Sequence, residues 1–216
     1  MSFFDGAQHV GPLALDADVV VVGSGASGAV VAAVLAEAGQ RVLVLEEGAH
    51  VPQREYAKFT PSQTIRRMWR DAGLTFSIPL GDSPAINVMM GKCVGGSSVM
   101  TGGVCFRTPG WVLKEWRELR GLPHFTEEAL EPYFAEVERV THVEEVPASL
   151  RSRSTQLFNE GCTKLGRPLK PIRRNTSGCV GHSKCNFGCP QGAKLSVDLS
   201  WLPRAIANGA DVWSHM

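Results

Sequence analysis

The sequence predicts an α/β protein built on a parallel, doubly wound sheet, and three observations carry that prediction. Val19–Val22 is a short unbroken apolar run, the pattern of a strand buried on both faces. It leads into GSGASG at 23–28 and then into ASGAVVAAVLAEA at 26–38, an alanine-rich stretch without proline that favours helix. RVLVL at 41–45 is a second buried strand. Strand, glycine turn, helix and strand follow one another within about thirty residues, the length of a βαβ unit. Gly39 serves as the helix stop.

The later elements are read in the same way. Residues 51–90 are irregular, with one short helix expected around 62–71, where Ile65, Met68 and Trp69 share a face. Thr126, Glu127 and Glu128 form a helix start, and Leu130, Tyr133, Phe134, Val137 and Val140 then recur at helical spacing through 126–141. Pro132 is expected to split that segment into a turn and a longer helix. A further helix is predicted over 154–165, with Ser154 as cap and Gly166 after it. The last helix covers 199–208 and stops at Gly209, and 210–216 reads as the start of a strand. No internal repeat or low-complexity run interrupts the chain.

Composition narrows the function classes. The 216 residues suit one large domain or two small ones, and 44% are apolar, enough for a sizeable core. Lys plus Arg is 22 against 21 for Asp plus Glu, a net charge of +1, so a dedicated nucleic-acid binder and a polybasic membrane surface are both disfavoured. Residues 19–36 carry no charge over eighteen positions, near the minimum for a membrane span. Gly23, Ser24, Gly25, Ser27 and Gly28 sit in their middle, and strand–turn–helix is the better reading. The N-terminus lacks a basic stretch followed by an apolar one, so a cytoplasmic, reducing setting is expected. The six cysteines then read as thiols or ligands before disulfides.

GSGASG matches G-x-G-x-x-G in the context that gives the motif meaning: after a strand, at the start of a helix, with an acid ending the next strand. Gly23 permits the tight turn, Gly25 lets a pyrophosphate approach the backbone, and Gly28 lets helix and strand pack closely. Ser24, Ala26 and Ser27 complete the set of loop contacts, and the free N–H groups at the helix start hold the phosphate charge. Glu46 ends the second strand, where a carboxylate accepts hydrogen bonds from both ribose hydroxyls and repels a 2′-phosphate. That favours FAD or NAD over NADP. Glu47, beside it, reads as a solvated residue.

A second glycine-rich run, GKCVGGSSVMTGG, occupies 91–103. One βαβ loop and its mirror half serve NAD. FAD adds a large rigid ring system, which a second bare stretch of main chain could approach without side-chain bulk. FAD is therefore the preferred cofactor.

These segments resemble the glucose–methanol–choline (GMC) family of flavoprotein oxidoreductases. The resemblance spans roughly 16–216 and rests on DADVVVVGSGASGAVVAAVLAEAGQRVLVLEEG, on GKCVGGSSVMTGGVCFRTP, and on WVLKEW and ALEPYFAEVE. It implies an incomplete, Rossmann-like FAD-binding domain over 17–216 with inserted lid and cap segments, preceded by an N-terminal extension at 1–16. It further implies that the substrate-binding and catalytic portion lies outside this sequence. In that family the second run lies against the flavin, so Gly91, Val94, Gly95, Gly96, Ser97, Thr101 and Gly102 are candidate cofactor contacts. Thr101 stands where the family has asparagine or histidine; its single hydroxyl does not reproduce a carboxamide, and covalent flavin attachment through a histidine is excluded there.

Residues 178–194, GCVGHSKCNFGCPQGAK, place Cys179, Cys185 and Cys189 at C-x5-C-x3-C with Pro190 after the last. The readings are a structural loop with free thiols or one disulfide, a three-cysteine iron–sulfur cluster, or a zinc site completed by His182. Cys93, Cys105 and Cys162 read as small core residues.

The resemblance implies oxidation of an alcohol. A base takes the hydroxyl proton, the carbon gives a hydride to flavin N5, and electrons pass on to oxygen, a quinone or another protein. The family's catalytic histidine lies near the end of a longer chain. His9, His50, His124, His142, His182 and His215 fall in no such motif, so no catalytic residue is assigned. Two other readings stand beside this one: a subunit whose cysteines relay electrons from flavin to a partner, and a non-catalytic nucleotide-binding module.

Overall fold

A computed structural model describes residues 3–216. In chain order its elements are β1 (Phe3–Asp5), β2 (Val19–Val22), α1 (Ala26–Glu37), β3 (Val42–Leu45), α2 (Gln53–Tyr56), α3 (Pro61–Met68), β4 (Phe76–Ser77) and β5 (Ile86–Asn87). There follow α4 (Ser97–Met100), α5 (Gly110–Leu119), α6 (Glu127–Val140), β6 (Val143–Glu145), α7 (Arg153–Lys164), β7 (Arg173–Asn175), α8 (Trp201–Ala207) and β8 (Asp211–Ser214). The chain forms two compact units. One comprises the residues up to Gly103 and those from His182 on, and the other is the intervening Val104–Gly181. No helix among the described residues is long and apolar enough to cross a membrane.

The first unit is built on a four-stranded parallel sheet in the order β1-β8-β3-β2. β3 is an interior strand, and Val42, Leu43 and Val44 are all buried. Each such side chain stabilises the fold by roughly 1.5–3 kcal/mol when fully covered. Helix α1 buries Ala29, Ala32, Ala33 and Ala36, a stripe at helical spacing whose small side chains let the helix lie close to its neighbours. It packs on the sheet and on α8, which buries Trp201, Leu202 and Ala205. Arg204 Nη2 donates to Glu37 Oε2 at 2.8 Å and ties the two helices at their rim.

β2 departs from the expected burial on both faces. Val21 is buried, but Val20 and Val22 are 52% and 85% exposed. The reason is position: β2 is an edge strand in this sheet, and of its two faces only one carries a helix among the described residues. The N-terminal extension contributes β1, which pairs with β8 at the other edge. A buried cluster of Tyr56, Phe59, Met68, Trp69, Cys93, Val99 and Met100 joins α2, α3 and α4.

The second unit holds α5, α6, α7 and the antiparallel pair β6–β7. Here α6 runs unbroken through Pro132, contrary to the expected split. Pro132 removes one N–H from the ladder, but the carbonyl that loses its partner belongs to exposed Glu128 and stays open to water. Thr126 caps the helix by accepting from the Ala129 N–H at 3.1 Å. The cap of α7 is Ser152 rather than Ser154, its hydroxyl accepting from the Thr155 N–H at 3.2 Å. Glu138 accepts from Arg107 at 2.8 Å and from Arg173 at 2.7 Å, and these guanidinium groups, Arg107 first, hold its carboxyl down to about 2.

Candidate functional site

The two glycine loops meet at the carboxyl ends of β2 and β3. In the first loop each motif glycine has its own physical reason. Gly23 has φ +92°, a conformation that L side chains rarely adopt. Gly28 is forced by packing, since a Cβ there would lie 2.0 Å from the Gly23 carbonyl oxygen. Gly25 is required by neither. Its φ is −67°, and a Cβ there meets nothing within 4 Å. No side chain caps α1, whose N-cap is Gly25 itself, and no acidic residue lies in its first turn. The first-turn N–H groups and the positive end of the helix dipole are therefore met by no capping side chain.

Ser24, expected among the cofactor contacts, is fully buried. Its N–H and its hydroxyl both donate to Glu46 Oε2, at 2.9 and 2.6 Å. Its oxygen in turn accepts from the Gly95 N–H at 3.0 Å. Ser24 is thus a clamp joining the first loop, the end of β3 and the second loop. Glu46 is only 5% exposed, and its other oxygen accepts from the Gly48 N–H at 2.9 Å. Three short hydrogen bonds fix this carboxylate, each to a charged acceptor and so among the stronger kind. Glu47 points elsewhere and pairs with Arg70.

The second loop is packed against the first. A Cβ on Gly96 would come 3.1 Å from Gly25 Cα, and one on Gly91 would come 2.6 Å from the Gly96 carbonyl. Gly95 and Gly96 both have positive φ, +90° and +53°. Val94 is buried, with its N–H donated to the Ala49 carbonyl at 2.9 Å. The Ser97 hydroxyl accepts from the Gly91 N–H at 3.0 Å. Thr101 and Gly102 are more open, and the Thr101 hydroxyl only reaches back to the Ser98 carbonyl at 3.2 Å. Of the expected contacts, Gly25, Ala26, Ser27, Ser97, Thr101 and Gly102 keep accessible surface, while Ser24, Glu46, Val94, Gly95 and Gly96 are buried.

Sequence reasoning missed several supports. A Cβ on Gly48 would sit 2.2 Å from the Lys92 backbone, so this glycine lets the second loop run alongside the end of β3. Its signal was the glycine directly after the acidic pair. Tyr56 donates its hydroxyl to Asp198 Oδ2 at 3.0 Å, and Ser196 donates to Oδ1 at 2.6 Å. Burial pushes the Asp198 carboxyl up, against these two hydrogen bonds. The same desolvation, with Asp198 beside it, pushes the Tyr56 phenol far up.

The metal reading of Cys179, Cys185 and Cys189 is not supported. Among the described residues no three His, Cys, Asp or Glu side chains are gathered as a metal would need. The six cysteines are free thiols, which also removes the disulfide alternative. What organises the 184–194 stretch is hydrogen bonding to its backbone. Gln53 Nε2 donates to the Cys189 and Pro190 carbonyls at 3.2 and 2.8 Å, and Thr64 donates to the Phe187 carbonyl at 3.1 Å. Gly188 is pressed on Tyr56, with a Cβ position 2.7 Å from the ring.

The family model of the GMC oxidoreductases matches residues 17–216. The chain belongs to the GMC oxidoreductase family. A GMC-type oxidoreductase of Mycobacterium tuberculosis is 39% identical over 203 residues, covering 94% of this chain and 32% of that relative. A long-chain-alcohol oxidase of Arabidopsis thaliana is 34% identical over 194 residues, covering 89% of this chain and 25% of its own length. This chain therefore spans about a third or less of these curated relatives. Among solved structures, pyridoxine 4-oxidase from Mesorbium loti superposes with a TM-score of 0.67 at 18% identity, over 93% of this chain and 42% of that one. A formate oxidase of Aspergillus oryzae gives 0.64 at 16% identity, over all of this chain and 39% of that one. These likenesses establish the shared Rossmann-like GMC fold.

Proposed function

We propose that this GMC chain holds FAD and forms the cofactor-binding part of an oxidoreductase acting on CH–OH groups. One observation carries the reading: Gly25 is a glycine that neither backbone strain nor packing demands, placed at an uncapped helix start. A ligand is what keeps such a position bare, and the chemistry of the donors names an anion. The residues fit the dinucleotide. The N–H groups of Ala26, Ser27 and Gly28 would hold the pyrophosphate. Glu46 has roughly four acceptor sites as a carboxylate. Three of them are used within the protein, leaving acceptor capacity for a ribose hydroxyl. The second loop, through Gly91, Ser97, Thr101 and Gly102, would cover the ring system.

Bound FAD supplies a hydride acceptor for oxidation of an alcohol carbon. The part played by this chain is to bind, orient and shield. The α1 dipole offsets the phosphate charge, the Ser24 clamp keeps the two loops in register, and the bare backbone of the second loop permits close approach. An alcohol substrate is supported by the alcohol oxidases among the relatives. No residue of this chain is assigned as the base that takes the alcohol proton, and the electron acceptor is oxygen, a quinone or a protein.

The test is made on the full-length protein. It is expected to purify yellow, to release FAD on denaturation, and to bleach anaerobically when given a long-chain primary alcohol. A colourless protein that takes up no FAD overturns the cofactor reading. A flavinated protein that no alcohol bleaches overturns the substrate class alone.

A further inference from the structure

The side chain of Lys194 is 1% exposed, and four backbone carbonyls converge on its nitrogen. They belong to Ser98 at 3.1 Å, Val99 at 2.7 Å, Thr101 at 2.7 Å and Cys185 at 2.9 Å. An ammonium has three N–H donors, so at least one is shared. A neutral amine would aim its lone pair at one of these oxygens, so the cage calls for the cation. The first three carbonyls end the short helix α4 and lead out of the second glycine loop. The Ser98 hydroxyl links the same helix to both sides, donating to the Gly95 carbonyl at 2.7 Å and accepting from the Val197 N–H at 3.2 Å.

A buried ammonium is costly unless its donors are met, and here three of the four carbonyls that meet them come from one conformation of the 98–101 backbone. If that turn relaxed, the charge would lose three of the four carbonyls named. We infer that Lys194 is a positioning residue for the cofactor: it locks the exit of the second glycine loop so that Ser97 to Gly102 are preorganised where the proposed FAD lies. Preorganisation raises affinity by removing the ordering cost at the moment of binding. The inference rests on the FAD reading above.

The experiment compares the full-length wild type with Lys194→Met, which keeps length and loses charge, and Lys194→Gln, which keeps two N–H donors. FAD dissociation constants, the visible flavin spectrum and the melting temperature of the apoprotein are measured. Lys194→Met is expected to weaken FAD binding at least tenfold and to leave bound flavin with a spectrum close to that of free FAD. Lys194→Gln is expected to fall between Lys194→Met and wild type. A merely structural lysine would lower the apoprotein melting temperature and leave the dissociation constant and spectrum unchanged, and that result overturns the inference. Should neither variant be soluble, amine labelling of the wild type decides. FAD is expected to slow modification of Lys194 at least tenfold relative to the apoprotein, because coupling between sites is reciprocal; equal rates overturn the inference. Wild type that binds no FAD refutes the cofactor reading, whereas variants that bind it as tightly as wild type refute only the role of Lys194.

Discussion

A Cβ placed on Gly25 of the first glycine loop meets nothing within 4 Å, whereas one placed on Gly91 of the second lies 2.6 Å from the Gly96 carbonyl. Both loops are rich in the same residue, yet bareness serves different ends in them. In the first, one glycine is bare toward the outside. In the second, Gly91, Gly95 and Gly96 are bare toward the protein itself, through close backbone approach or positive φ. The second loop supports the first loop, with the Gly95 N–H on Ser24 and Gly96 against Gly25, and its later part, Ser97 to Gly102, is the part proposed to face the cofactor. A glycine-rich run is therefore not one signal. What each glycine would collide with separates folding demand from binding demand.

That distinction can be broken by substitution. The largest effect is expected at Gly28: Gly28→Val drives a side chain into the Gly23 carbonyl and should cost about 3 kcal/mol or more, read as loss of soluble protein or a sharp drop in denaturant midpoint. Gly25→Val is the opposite case. Stability should fall by only about 1 kcal/mol, the cost of a poorer N-cap, while FAD affinity falls about 100-fold or more, near 3 kcal/mol by titration. If stability fell as far as affinity, the ligand-facing role of Gly25 would be wrong. Gly95→Ala combines φ +90° with a contact 2.8 Å from Val99 and should destabilise the first unit by about 2 kcal/mol before any ligand is added.

The second unit supplies a control that leaves both loops alone. Glu138→Gln should destabilise it by about 1–2 kcal/mol at pH 7, through loss of the charged bonds to Arg107 and Arg173. The Glu138 carboxyl is held below its ordinary value of 4.5, at about 2. Its stabilisation is therefore complete above about pH 4.5 and lost as pH falls toward 2. Wild type and variant should converge in thermal melts over that window, and a gap that persists at pH 2 would contradict the ion-pair assignment. The smallest effect is expected at Thr101, whose exposed hydroxyl makes one long bond to its own turn. Thr101→Ala should shift stability by less than about 0.5 kcal/mol, so any sizeable loss of FAD in that variant reports a direct contact.

Much of this was legible in the chain. Local rules placed β2, α1 and β3, because a buried strand, an alanine helix and a glycine stop are properties of near neighbours. The separate reasons for Gly23 and Gly28 were also readable, since the motif is a local turn. Less local features were misread for identifiable reasons. Ser24 looked like a ligand contact because it lies inside the glycine motif, but Glu46, distant in sequence, claims its hydroxyl. Three cysteines close in sequence left a structural loop, an iron–sulfur cluster and zinc open, because spacing along a chain does not set the distance between side chains; in the structure Lys194, Gln53 and Thr64 organise that stretch through its carbonyls. Pro132 was expected to split its segment into a turn and a longer helix, and the helix instead runs through it, with Glu128, four residues before, exposed.

By itself, the order of residues determined the βαβ unit, the glycine turn and the acid that follows it, because each depends on φ, propensity and spacing within a few tens of residues. Only the tertiary structure decided which glycines face the protein, that Ser24 joins the two loops, and that Lys194 sits buried among four carbonyls. Those facts depend on segments up to about a hundred residues apart being brought within bonding distance, and hydrogen bonds and hard-core contacts are felt only at that range.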